Sequence, residues 1–174
     1  MTPAPFGKPD PSEYGAYYGK YIGLIHEEDI LHSLGLEADG LLAYLRPLSD
    51  TAGEKRYAND KWSIKEVVGH VIDCERVFGY RALYIARQDP ASLPGFEQDD
   101  WAQVAGYGGR RLSDLTAEFD IVRQSHLHFF RHLTREAWLR RGVANNVEFT
   151  VRALAYLMAG HERHHLQVLK TRYL

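Results

Sequence analysis

Residues 63–85 read SIKEVVGHVIDCERVFGYRALYI. Ser63 followed three residues later by Glu66 is a capping box, in which each side chain satisfies an amide that the start of a helix leaves without a partner. From there Ile64, Val67, Val71, Cys74, Phe78, Ala82 and Ile85 recur at steps of three and four. Such a stripe is one wall of a helical bundle, and it should fade before Pro90. The same spacing appears three more times. From about Glu28 to Leu48 it runs through Leu31, Leu34, Ala38, Leu41, Leu45 and Leu48. There Gly35 and Gly40 each cost about 1 kcal/mol relative to alanine, so packing must hold the helix, and Pro47 should end or bend it. A third helix starts near Ser113 as its N-cap and runs through Leu115, Phe119, Val122, His126, Phe129 and Leu133. After a short amphipathic piece around Trp138 and a turn at Asn145-Asn146, Thr150 caps a fourth helix that reaches nearly to Leu174. Its stripe is Leu154, Met158, His161, His165, Val168 and Arg172. Four such stripes predict an all-α protein, a four-helix bundle.

The connections add two features. Residues 89–112 carry Pro90, Pro94, Gly95, Gly106, Gly108 and Gly109, too many breakers for a long helix and too long a stretch for a turn, so a long crossover or lid joins helices 2 and 3. Residues 1–27 hold Pro3, Pro5, Pro9 and Pro11 and then Tyr14, Tyr17, Tyr18 and Tyr21. They read as an N-terminal extended or short-turn arm laid over the domain, because tyrosine buries a ring while leaving its hydroxyl in water. With no internal repeat and no linker, residues 1–174 form a single domain.

Composition narrows the function. A chain of 174 residues with 45% hydrophobic and 25% charged side chains has the balance of a globular protein with a true core. Lys and Arg total 21 against 23 Asp and Glu, a net charge of −2, without the basic excess of a nucleic-acid binder. Cys74 is the one cysteine and the first residues lack a basic start followed by an apolar run, so a reducing cytoplasm is the expected address. The most apolar stretch, from Phe149 to Ala159, is broken by Arg152 and falls short of the roughly 20 residues that span a bilayer. A small-molecule substrate is the expected partner, with neither nucleic acid nor membrane.

Histidines carry the chemistry. Residues four apart on a helix point within about 40° of one another, so His161 and His165 can offer two nitrogens to one metal ion, and neutral imidazole is the commonest protein ligand. His164 points about 100° away and belongs to the flank. A third ligand must come from another helix. Periodicity favours His126, on the stripe of helix 3, while His70 sits at the edge of the helix 2 stripe and reaches the interior from the side. Cys74 is a conceivable soft ligand, although small buried thiols are usually packing. His26, His32, His128 and His132 fall off the stripes and read as solvated.

Residues 161–165 also match H-E-x-x-H, the zinc-peptidase signature in which the glutamate is the general base. Such enzymes take a further ligand downstream, yet few residues follow His165, and no convincing sheet is present to hold a peptide. Glu162 therefore reads as a surface ion-pair partner or an acceptor orienting a neighbouring imidazole, and as a possible catalytic helper. The run Gly106-Tyr107-Gly108-Gly109 lacks the lysine and spacing of a phosphate loop. Glu97, Asp99 and Asp100 read as a solvated acidic loop rather than a calcium site, and Arg76, Arg81 and Arg87 either line an anion pocket or, more simply, cover the surface of helix 2.

The run Lys61-Trp62-Ser63-Ile64-Lys65-Glu66-Val67-Val68-Gly69-His70, followed by Asp73, Glu75, Arg76 and Phe78 and later by Gly160-His161-Glu162 and His164-His165, resembles the DinB-like superfamily. The arm segment Tyr17-Tyr18-Gly19-Lys20-Tyr21-Ile22 and the crossover from Leu93 to Trp101 fit the same pattern. The resemblance implies a four-helix bundle with a long crossover between helices 2 and 3, a divalent metal (zinc, nickel or iron) held by His70, His161 and His165, and frequent homodimers. His126 then becomes the runner-up. It further implies a transferase that uses a low-molecular-weight thiol such as bacillithiol, mycothiol or glutathione as co-substrate, the metal lowering the thiol pKa so that a thiolate attacks an electrophile. The alternatives are a hydrolase in which the metal activates water, and a non-catalytic metal- or ligand-binding stress protein.

Overall fold

The structure, a computed structural model, describes residues 7–88 and 91–173. Pro3, Pro5, Pro90 and Leu174 lie outside the described residues. Four long helices make the bundle: α1 (Ile30–Leu45), α2 (Ile64–Ala86), α3 (Leu112–Arg131) and α4 (Val151–Arg172). Asp29 caps α1, and the helix stops one residue before Pro47, at its C-cap Arg46. The capping box of α2 is formed as predicted: the Glu66 amide donates to Ser63 Oγ at 3.2 Å and the Ser63 amide to Glu66 Oε2 at 2.6 Å. Thr150 caps α4 by accepting from the Ala153 amide at 3.0 Å.

Helix α3 departs from its predicted start. Arg111, not Ser113, is the N-cap and its side chain bonds no amide of the helix. The cap arrives from elsewhere in the chain, because the Leu112 amide donates to Asp50 Oδ1 at 2.6 Å. The stripe is also displaced. Leu112, Leu115 and Phe119 are buried as expected, but beyond them the buried positions are Arg123, Leu127 and Phe130, which leaves Val122, His126 and Phe129 at the edge.

Helices α1 and α2 each pack against both α3 and α4, so these two consecutive helices stand at opposite corners. The core has two halves. One gathers Leu34 of α1, Phe78 of α2, Phe130 of α3 and Leu154 of α4; the other gathers Leu41, Val67, Phe119 and Leu169 of the same helices. Following residue numbers from one half to the other shows α1 and α4 running one way and α2 and α3 the other. The chain must therefore return the whole length of α2 before α3 begins, about 34 Å for 23 residues at the α-helical rise, and this is why the connection is long. It is more ordered than its breakers suggest, with a short helix Gln98–Val104 and a 3-10 turn Tyr107–Gly109.

The piece before α4 holds a short helix Arg135–Leu139 and a hairpin, β1 (Arg141–Ala144) paired antiparallel with β2 (Val147–Thr150). Asn145 and Asn146 turn it at φ 53 and 58, the left-handed pair that a two-residue hairpin turn requires. This small sheet is an addition to the all-α expectation. Its tip fastens the crossover: the Leu93 amide donates to Val143 O and the Asn145 amide to Leu93 O, at 3.0 and 2.9 Å. The arm, with short turns at Pro11–Glu13 and Ala16–Tyr18 and one helical turn Gly19–Ile22, lies along α4. It is anchored by the buried Glu13, which accepts from Thr150 Oγ1 at 2.7 Å and pairs with Arg152.

Between the two core halves the bundle is polar. Arg123 donates to both oxygens of Glu75, at 2.7 and 2.9 Å, and to Leu34 O at 2.7 Å, and its Nη2 lies 2.6 Å from Glu162 Oε2. Glu162 is thus an ion-pair partner, but inside the bundle rather than on the helix surface. One cation faces two carboxylates, and the three groups divide the charge. Burial pushes Glu75 up, but the Arg123 charge and hydrogen bonds, with His126, hold it well below the ordinary range; burial raises Glu162 to about 8 against the pull of Arg123. Glu75 is thus the principal counter-charge of Arg123, and Glu162 the weaker of its two partners. Replacing Arg123→Leu strands the Glu75 charge and is expected to cost about 3 to 5 kcal/mol, whereas Glu162→Gln leaves the Arg123–Glu75 pair in place and should cost less than about 1 kcal/mol. Urea unfolding at pH 7 measures both, and equal losses would mean that Arg123 relies on both carboxylates alike.

Candidate metal centre

Two glycines prepare the centre. Gly69 precedes His70 on α2, and a Cβ there would stand 2.2 Å from the Tyr107 ring; Gly160 precedes His161 on α4, and a Cβ there would meet Tyr21 O at 2.1 Å. Only glycine admits these approaches. The crossover and the arm are thereby brought onto the helices beside the two histidines.

The structure brings His70, His161 and His165 together, with one ring nitrogen of each within 4.8 Å of the others. His161 Nε2 lies 3.2 Å from His70 Nε2 and 3.1 Å from His165 Nε2. An imidazole Nε2 carries either one hydrogen or one lone pair. His161 Nε2 therefore serves one neighbour as a hydrogen-bond partner and leaves the other contact unsatisfied. Three imidazoles bound tetrahedrally to one ion at about 2.0 to 2.1 Å would have nitrogens about 3.3 Å apart, close to the two contacts that His161 Nε2 makes. The residues fit a divalent cation.

The electrostatics point the same way. Burial lowers His70 from 6.5 to about 4. His161 and His165 are held well below their ordinary value by burial and by the neighbouring imidazoles. All three are neutral at pH 7, the form that ligates. Aromatic rings surround them: Trp62 lies 4.8 Å from His70, and Tyr21 and Phe78 lie 5.3 and 5.6 Å from His161, between ring centres.

Two cavities reach the triad. One, of about 410 Å³, has His161 in its wall together with Tyr18, Tyr21, Arg81, Phe96 and Asn145. The other, of about 600 Å³, has His165 in its wall with Tyr57, Lys61, Trp62 and Tyr173. Gln98 and Asp99, at the start of the crossover helix, line both. The lid expected from residues 89–112 thus stands between two mouths.

Other sequence candidates lie elsewhere. His126, favoured by periodicity, is outside the triad; its Nδ1 meets Glu75 Oε1 at 3.1 Å, and its ring lies where a Cβ on Gly79 would be, 2.0 Å from Nε2. The displaced stripe of α3 explains this, since Arg123 takes the interior position. Cys74 is buried, its Sγ 3.7 Å from His70 Nδ1, and burial pushes its thiol far up, so the protonated sulfur packs rather than ligates. His164 is half-buried against the Tyr21 ring at 5.3 Å. His26, His32, His128 and His132 are exposed, as expected. Arg81 is a correction: it is 3% exposed and donates to Pro94 O at 3.0 Å instead of covering a surface. Asn145, a turn residue by its sequence, also lines the cavity beside His161; the paired asparagines are the available signal, and the four-residue strands around them are too short to show.

A family model described as the DinB superfamily matches residues 34–169. Among solved structures the chain is similar to YfiT from Bacillus subtilis, with a TM-score of 0.67 and 16% sequence identity, over 94% of this chain and 89% of that one. YfiT is described as "a probable metal-dependent hydrolase with an unusual four-helix bundle topology". A search of curated proteins returns no significant match.

The lowered imidazoles tie stability to pH. As pH falls below 6.5 the unfolded chain protonates His70 while the folded chain does so only near 4. The stability this group contributes is complete above 6.5 and is lost progressively on the way down to about 4, by at most about 3 kcal/mol. Urea midpoints of metal-free wild type should fall across that window, with a shallower fall for His70→Gln; equal slopes would contradict the assignment.

Proposed function

The chain belongs to the DinB superfamily, and from that premise we propose a metal-dependent enzyme whose single divalent cation is held by His70, His161 and His165. The observation that carries this reading is the meeting of three Nε2 atoms at 3.1 and 3.2 Å, an arrangement that hydrogen bonds alone leave unsatisfied. When bound, zinc, nickel or ferrous ion with three imidazoles and an open position supplies Lewis acidity that lowers the pKa of a thiol or of water.

The reaction we favour is transfer of a low-molecular-weight thiol to an electrophile. Two cavities opening on different histidines of one triad suit two substrates meeting at a single centre. The thiol must come from outside the chain, because Cys74 is the one cysteine and its burial keeps it protonated. The chain's own part is positional. His70 is clamped between Trp62 and Cys74, His161 between Tyr21 and Phe78, so the rings hold their geometry while the aromatic walls keep water from the reacting groups. A second reading, hydrolysis, is favoured by the description of YfiT.

The test is metal content followed by calorimetry. Wild type should hold one divalent ion per chain, and His161→Ala should bind it more than about 100-fold more weakly, beyond the usual cost of losing an outer partner of a ligand. Metal-loaded wild type should release heat with at least one of bacillithiol, mycothiol and glutathione. Stoichiometric metal in His161→Ala would overturn the ligand set. Silence with every thiol, together with turnover of esters or amides, would replace the transferase with the hydrolase.

A further inference from the structure

The bundle buries two arginines in different ways. Arg123 is matched by Glu75 and Glu162. Arg81, 3% exposed, has no carboxylate within ion-pair distance among the described residues. Its one hydrogen bond to the backbone goes from Nη2 to Pro94 O at 3.0 Å, and the hydroxyl of Tyr18 lies nearby. A guanidinium carries five N–H donors and keeps its charge, so a buried one without a counter-charge is costly unless something supplies that charge. Burial pulls Arg81 below its ordinary value, and what opposes the pull is Tyr18 and Cys74, neither of them a carboxylate.

The place where a counter-charge can arrive is defined. Arg81 lines the cavity of about 410 Å³ whose wall includes His161, and Tyr18, Tyr21, Phe78 and Phe96 give that wall an aromatic face beside the polar Gln98 and Asn145. Glu97 and Asp99, both exposed, stand at the rim. A dianionic phosphate would meet one cation at the base and two carboxylates at the entrance, an unfavourable exchange. A single carboxylate meets a planar fork of matching shape. The aromatic wall suits an apolar body behind it.

We propose that Arg81 seats the carboxylate of a small apolar or aromatic acid in the cavity beside His161, and so determines which electrophile is presented to the triad. Arg81 is a binding residue here, because it touches the substrate and not the reacting atoms. The proposal rests on the triad being the reaction centre, but the binding it describes needs no metal.

The experiment is calorimetry with 3-phenylpropionate and its amide on metal-free and metal-loaded protein, with metal content measured on the same samples. Metal-free wild type should bind the acid about tenfold or more tightly than the amide, the scale of a hydrogen-bonded charge. Arg81→Gln should erase the preference. Arg81→Lys, which keeps the cation and a donor for Pro94 O, should retain part of it, and circular dichroism should show both variants folded. Equal binding of acid and amide, or binding of neither, by wild type overturns the proposal without recourse to any variant. So does an acid preference that appears only with metal and survives Arg81→Gln, since the carboxylate would then sit on the cation. A preference for the acid in protein that fails to take up metal supports the role of Arg81 while removing the metal-dependent reading of the triad.

Discussion

One buried ring nitrogen, His161 Nε2, held at hydrogen-bond distance from two others and so shared between two contacts, makes an arrangement that a folded chain does not keep without compensation. Each ring loses water on burial, and each resists a proton for the same reason. A single cation satisfies all three at once. Much of the surrounding structure reads as the framework this demands: two helices supply the rings, a glycine beside each of the first two lets a covering segment approach, and aromatic side chains fill the shell between.

The same level of the bundle carries the Arg123, Glu75 and Glu162 layer, so polar groups are concentrated where the two apolar halves of the core meet. Glu75 and Glu162 follow Cys74 and His161 by one residue, which turns them about 100° away around their helices and toward α3. Each of α2 and α4 thus serves the histidine centre on one face and the carboxylate layer on another. The topology completes the site, because parallel α2 and α3 force a long return. That return, pinned by the hairpin tip and by Arg81, separates the two cavities.

Much of this was legible in the residues. The stripes of α1, α2 and α4, the Ser63 and Glu66 box, the Thr150 cap and the pair His161 and His165 follow local rules that a sequence displays directly. The third ligand did not. Periodicity selects His126 because it stands on the helix 3 stripe, and nothing local marks Arg123 as the interior residue: a buried arginine is recognisable only from the carboxylates on two other helices that pair with it. The resemblance to the family placed the choice on His70, where the coordinates also bring the ring. The start of α3 was missed for a related reason, since its cap is Asp50, 62 residues away. For Arg81 the sequence holds a pocket reading and a surface reading side by side, because burial of a helix-face cation depends on a crossover whose path no local pattern specifies.

The most direct test is X-ray absorption fine structure of the zinc-loaded protein. The account predicts three imidazole nitrogens at about 2.0 to 2.1 Å with the remaining position filled by a light atom, and one imidazole fewer in His70→Gln. A sulfur scatterer at about 2.3 Å in protein free of added thiol, or fewer than three imidazoles in wild type, would contradict it.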